Sequence, residues 1–202
     1  MIKNIVFDMG NVLVKYSSHP VCEHHIEDML DRERVRTAVF ESQEWVLMDM
    51  GLFDDEYAFS LMSKRLPERL HEAARLCLRD WDKYNMYGVK EMDPLIRELK
   101  AKGYKIYICS NASIRLLDIY KDLMPAADCY DGVLFSADVK CIKPQKEIYH
   151  HLFNRFDLKP EECFFVDDLI SNIEGGRACG MDGYCFADGD IEKLRDVLFN
   201  LS

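Results

Sequence analysis

The sequence predicts a doubly wound parallel α/β sheet with an all-helical segment inserted after its first strand. Three observations predict it. Short β-rich runs recur along the chain, each followed by helical periodicity. Most of the runs are apolar without clean alternation, as in parallel strands covered on both faces. Residues from about 16 to 88 break this rhythm, offering helix-like segments and no convincing strand.

In chain order, Ile2 to Phe7 (IKNIVF) reads as the opening strand. The insertion carries helical segments around Val21 to Leu30, Arg32 to Glu41, Asp55 to Arg65 and Glu68 to Lys83. Helix and strand then alternate: Asp93 to Lys102, Tyr104 to Cys109, Ala112 to Asp122, Gly132 to Phe135, Pro144 to Phe156, Cys163 to Val166, Asn172 to Gly180, Tyr184 to Phe186 and Asp190 to Asn200. Gly103 and Gly180 stand where helices stop, and Pro144 suits a first helical turn. The division expected is a core of residues 1–15 and 89–202 with a helical domain over 16–88.

At 202 residues, 49% of them apolar, the chain buries roughly 70% of its unfolded surface and needs neither metal nor disulfide to fold. Lysine and arginine number 26 against 36 aspartates and glutamates, a formal charge of −10. That argues against nucleic acid or an anionic membrane as partner, since both select clustered positive charge. A small anionic metabolite remains possible if a local cation holds it. The eight cysteines are scattered without a C-x-x-C pair. With no signal-like start and no membrane-length apolar run, a reduced, cytoplasmic protein is expected, as monomer or homodimer.

In an open parallel sheet, ligands bind beyond the carboxyl ends of the strands. The residues there are Asp8, then Ser110-Asn111, then Lys143-Pro144 after the third core strand, then Asp167-Asp168. Each type has a use in phosphoryl transfer. A carboxylate can attack phosphorus. Magnesium takes one or two carboxylates plus other oxygens. A hydroxyl and a backbone amide at a strand-to-helix junction donate to phosphate oxygens, and a lysine supplies point positive charge. Adjacent Asp167 and Asp168 repel unless a cation lies between them, so a metal site is the economical reading.

These stretches, Phe7-Asp8-Met9-Gly10-Asn11-Val12, Cys109-Ser110-Asn111, Ile142-Lys143-Pro144 and Phe165-Val166-Asp167-Asp168 with Asn172, resemble the haloacid dehalogenase-like hydrolases. Within them the chain is most similar to the helical-cap branch of bacterial sugar-phosphate phosphatases, typified by α-D-glucose-1-phosphate phosphatase. The resemblance implies a Rossmann-like core and a magnesium-dependent phosphomonoester hydrolase acting on a small sugar phosphate. It implies Asp8 as nucleophile and Ser110, Asn111 and Lys143 as phosphate ligands. It places Mg2+ on the Asp8 side chain, the Gly10 carbonyl and the Asp168 side chain, with Asp167 and Asn172 behind them.

One position departs from the commonest pattern of the family. Most of its phosphatases carry a second aspartate two residues after the nucleophile, as acid and base; here that residue is Gly10. Loss of such help slows an enzyme by about 10²–10⁴-fold. Either a cap residue or water replaces it, or the preferred substrate has a leaving group that needs little protonation, or the chain is a silent binder of phospho-ligands or partners. A phosphonate or haloacid hydrolase on the same scaffold is a further alternative, the former needing a cap lysine such as Lys64 or Lys83. His24-His25 and His150-His151 read as surface or half-buried pairs, since adjacent helical side chains diverge. His19 is a lesser candidate for substrate contact or for the acid. Trp45, Met48, Met50, Leu52 and Phe53 read as the core of the helical segment, and Cys109 as strand packing.

Overall fold

The computed structural model describes residues 1–201. Five parallel strands form its sheet: β1 (Asn4–Phe7), β4 (Lys105–Ser110), β5 (Gly132–Phe135), β6 (Cys163–Asp167) and β7 (Asp182–Cys185), in the order β5-β4-β1-β6-β7. The first strand is therefore central. From β1 the chain builds outward to β4 and β5, then crosses back to β6 on β1's other edge. The switch point of the topology lies between β1 and β6, where such sheets open a crevice at their carboxyl ends.

Side-chain alternation along the strands explains why most of them read as apolar without clean alternation. Ile5 and Phe7 face one layer with Ile106, Ile108, Phe164 and Val166. Val6, Tyr107, Cys109, Cys163 and Phe165 face the other. The first layer is closed by α6 (Met92–Ala101), α7 (Leu116–Leu123) and α11 (Ile191–Phe199), and the second by α9 (Lys146–Phe156) and α10 (Ile170–Ala178). Both faces are covered, so no strand has a polar side to alternate.

Between the core halves lie α1 (His19–His25), α2 (Met29–Phe40), α3 (Gln43–Asp49), α4 (Asp55–Met62) and α5 (His71–Tyr84). Two corrections to the sequence reading arise here. The segment is bounded by a two-stranded antiparallel ribbon, β2 (Val14–Tyr16) with β3 (Met86–Gly88), in register Val14↔Gly88 and Tyr16↔Met86. Three-residue strands are too short to show a period of two. The segment also holds five α-helices among the described residues rather than four. Each new start is set by a short polar side chain bonding an amide three residues on: Asp28 to Asp31 N (2.9 Å), Ser42 to Trp45 N (3.1 Å) and Asp54 to Tyr57 N (2.8 Å). The first cap divides the expected Val21–Leu30 helix in two. The second starts the seven-residue α3, which the sequence reading left out.

The core shows smaller differences. The helix expected from Ala112 starts at Leu116, because Asn111 and Ala112 are tied instead to Lys143 and Ser136. The last strand runs 182–185 rather than 184–186, and a one-turn helix, α8 (Ser136–Val139), follows β5.

The link between α3 and α4 carries a stability prediction. Gly51 has φ +64°, and a Cβ there would stand 2.4 Å from the Ala137 carbonyl oxygen. Gly51→Ala is expected to cost about 1–3 kcal/mol, from left-handed strain and the clash together. Chemical denaturation would show it as a lower midpoint at unchanged slope; an unchanged midpoint would contradict the close approach.

Candidate active site

Asp8 follows the central strand directly, and its amide donates to the Val166 carbonyl (2.8 Å), extending the β1–β6 ladder by one residue. This register sets Asp8 beside Asp167. The chain then turns through Met9, Gly10 and Asn11, the last at φ 55°, a conformation asparagine tolerates. The Met9 amide donates to Asp8 Oδ1 (2.7 Å), and Asn11 Nδ2 donates to Asp168 Oδ2 (3.1 Å).

Lys143 comes from the loop before α9 and is locked there by Asn111. The Lys143 amide donates to Asn111 Oδ1 (2.7 Å), and Asn111 Nδ2 donates to the Lys143 carbonyl (3.1 Å). The side chain is 1% exposed, and its Nζ lies 2.8 Å from Asp8 Oδ1 and 2.6 Å from Asp167 Oδ2. Asp167 is held in turn by Asn172 Nδ2 (2.9 and 3.1 Å) and the Leu169 amide (2.9 Å). Tyr149 donates to the Asn172 carbonyl (2.6 Å). Helix α10 reaches this distance through Gly175, where a Cβ would lie 2.9 Å from Pro144 and from the Tyr149 hydroxyl.

Burial, and secondarily the charge of Asp167, push the Asp8 carboxyl up to about 6 against the pull of Lys143. Burial opposes the charge of Lys143, but Asp8 and Asp167 together override it and raise its pKa above the ordinary lysine value. Burial pushes the Cys109 thiol up to about 12, so it packs beneath the site as an unreactive side chain. Oxygens of Asp8, Asp167 and Asp168 lie within 4.8 Å of one another. Three carboxylates against one ammonium leave a negative cluster of hard oxygen donors, a set that fits a divalent cation such as magnesium.

Above these groups is a cavity of about 270 Å³. Asp8, Gly10, Ser110, Asn111, Lys143 and Asp168 line its floor and Asn172 its edge; Asp167 lies just beneath, fully buried. The structure thus gathers all the residues singled out at the strand ends around one space. Its roof comes from the helical segment and its ribbon: Tyr16, Trp45, Asp49 and Trp81. Of these the sequence reading noted only Trp45, and only as core. Trp45 does pack edge-on against Phe40 and Trp81, so it serves core and cavity together. The Tyr16 hydroxyl and Trp81 Nε1 are buried without a hydrogen-bond partner among the described residues. Burial pushes the Asp49 carboxyl up to about 7.

Several other expectations resolve away from the cavity. His19 is exposed, beside Ser17 and Glu33. His24 stacks on Tyr84, His25 pairs with Asp80, and His150 and His151 are exposed. Leu52, expected as core, is 52% exposed. Lys64 and Lys83 are both exposed, and Lys83 is paired with Asp80. A larger groove, about 700 Å³, lies along α2 and α3. Its charged residues are already ion-paired, Arg65 with Glu44, Arg34 with Asp31, and Glu33 and Glu41 with Arg36, so size does not mark the site.

Comparison with known proteins bears on this geometry. A sesquiterpene phosphatase of Aspergillus oryzae is 24% identical over 92% of this chain and 90% of its own. A D-ribitol-5-phosphate phosphatase of Bacteroides thetaiotaomicron is 25% identical over 99% of this chain and all of its own. A solved haloacid dehalogenase family enzyme from Bacteroides thetaiotaomicron, in complex with magnesium and inorganic phosphate, superimposes with TM-score 0.71 at 18% identity. That match covers 91% of this chain and 93% of the other. The profile of the haloacid dehalogenase-like hydrolases matches residues 2–180, and the chain belongs to that family.

Proposed function

We propose that the protein is a magnesium-dependent phosphomonoesterase acting on a small sugar phosphate, hexose 1-phosphates among the candidates, through an aspartyl-phosphate on Asp8. One observation carries this reading. A buried carboxylate just past the end of the central strand lines a small cavity and is gripped by a buried lysine 2.8 Å away. A phosphoryl group entering the cavity meets a nucleophile and a fixed positive charge side by side.

In this reading Asp8 attacks phosphorus in line with the departing oxygen. Lys143 Nζ, the Ser110 hydroxyl and the Asn111 amide hold the phosphoryl oxygens and take up charge as the bond order changes. Magnesium, held by Asp8, the Gly10 carbonyl and Asp168, would offset repulsion between the carboxylates and the phosphate. Asp167 and Asn172 keep Lys143 and the Asp168 turn in place. Residues 16–88 act as a cap that shuts out bulk water and selects the alcohol.

The cavity suits a compact, hydroxylated alcohol. Tyr16, Trp45 and Trp81 line it with aromatic surface of the kind that packs on sugar C–H groups. The D-ribitol-5-phosphate phosphatase among the relatives supports that choice. A phosphonate hydrolase that forms an imine is disfavoured, because Lys64 and Lys83 lie outside the cavity. All eight cysteines are free, and no helix among the described residues is long and apolar enough to cross a membrane.

Phosphate release from a panel of sugar phosphates, with magnesium and with chelator, tests the reading. Turnover is expected only with magnesium. Magnesium at 100 times its dissociation constant should also stabilise the fold by about 2.7 kcal/mol, an effect lost in Asp168→Asn. Equal turnover in chelator, or equal stabilisation of both proteins, would contradict it.

A further inference from the structure

Gly10 offers no side chain to the cavity, although a Cβ there would meet nothing within 4 Å. The titratable side chains that line the space are Asp8, Lys143, Asp168, Tyr16 and Asp49. The first two are bonded to each other, and Asp168 accepts from Asn11. Burial raises the Tyr16 phenol's pKa and keeps it protonated. Asp49 has no basic side chain within ion-pair distance among the described residues, and it is the one carboxylate of the lining without an assigned task.

Its placement is rigid. Asp49 ends α3, and its carbonyl accepts the Ser136 hydroxyl from the core. Two residues on, the Gly51 carbonyl accepts Lys140 Nζ. The Ser113 amide, from the loop after β4, faces the carboxyl itself. The core thus fixes this residue of the helical segment in the lining of the cavity that also holds Asp8.

Resting on the phosphomonoesterase reading, we propose that Asp49 is the general acid and base of the reaction, doing from the roof what Gly10 cannot do from the floor. In the first step an Asp8 oxygen bonds to phosphorus as the phosphorus–alcohol bond breaks. The Asp49 carboxyl proton passes to the departing oxygen, leaving neutral alcohol and an Asp49 carboxylate. In the second, water attacks phosphorus, its proton returns to Asp49, and the bond to Asp8 breaks to release inorganic phosphate. Protons and electron pairs balance with no other reactant. Burial without a cation holds the Asp49 carboxyl near 7, so both protonation states are accessible at neutral pH.

The test compares leaving groups. Asp49→Asn is expected to lose about 10²–10⁴-fold in kcat/KM on an alkyl phosphate such as a hexose 1-phosphate. On p-nitrophenyl phosphate, whose phenolate departs without a proton, it should lose far less and accumulate phosphorylated protein, because water still lacks its base. Asp49→Glu should restore part of the alkyl activity. Equal losses on both substrates, or none on either, would overturn the role of Asp49. Wild-type protein that hydrolyses neither substrate, or does so unchanged in Asp8→Asn, would instead overturn the reading beneath it.

Discussion

Asp8→Asn is expected to abolish phosphoryl transfer, with kcat/KM falling by roughly 10⁴-fold or more, as when other covalent nucleophiles are removed. An amide oxygen in the same place is a poor nucleophile and a poor ligand for a divalent cation. The fold should persist, because Lys143 keeps Asp167 as partner at 2.6 Å. Stability gives a second, signed readout. Folding raises the Asp8 pKa from 3.8 to about 6. Between those values the folded protein keeps a proton that the unfolded chain releases, so this group removes stability as pH rises. In chelator, Asp8→Asn should therefore gain on the wild type between pH 4 and pH 7. Thermal melts at the two pH values would show it, and the opposite trend would place Asp8 in an ordinary ion pair.

Lys143→Met carries the second large effect. The side chain is 1% exposed and faces two carboxylates, so its removal leaves Asp8 and Asp167 buried with no counter-charge. Breaking a buried ion pair in this way typically costs 3–5 kcal/mol, about a third or more of a domain's stability. Raising magnesium should recover part of that loss, since a divalent cation near Asp8 and Asp168 supplies the missing charge. Activity should stay low even then, because no ammonium remains on the phosphoryl oxygens. Denaturant midpoints with and without magnesium separate the two effects. A midpoint shift below about 1 kcal/mol would mean that the three charges are more solvated than their burial indicates.

The core was readable because each of its site residues follows a strand. Asp8, Ser110 and Asp167 stand where an apolar run ends, and parallel topology alone carries such positions to one rim. Lys143 was readable for a related reason, being followed by a proline in the loop just before a helical run, although α9 itself begins at Lys146. Asp49, Tyr16 and Trp81 were not. They come from an α3 of seven residues, a strand of three and a helix whose apolar face reads simply as core. Nothing local separates a tryptophan that fills a core from one that also roofs a cavity. Asp49 had one signal, a lone carboxylate amid Trp45, Met48 and Met50, and only the tie from its carbonyl to Ser136 shows where it sits. The same limit explains Leu52, which follows the apolar run but lies outside the core that the run builds.

The most direct test of the central claim is to quench a single turnover in acid and map the phosphorylated peptide. A sugar phosphate that the protein hydrolyses should leave one phosphoryl group, sensitive to hydroxylamine, on the peptide containing Asp8. Asp49→Asn should increase its yield with an aryl phosphate, and Asp8→Asn should give none. Turnover without a phosphorylated peptide, or with the group on another residue, would contradict nucleophilic attack by Asp8.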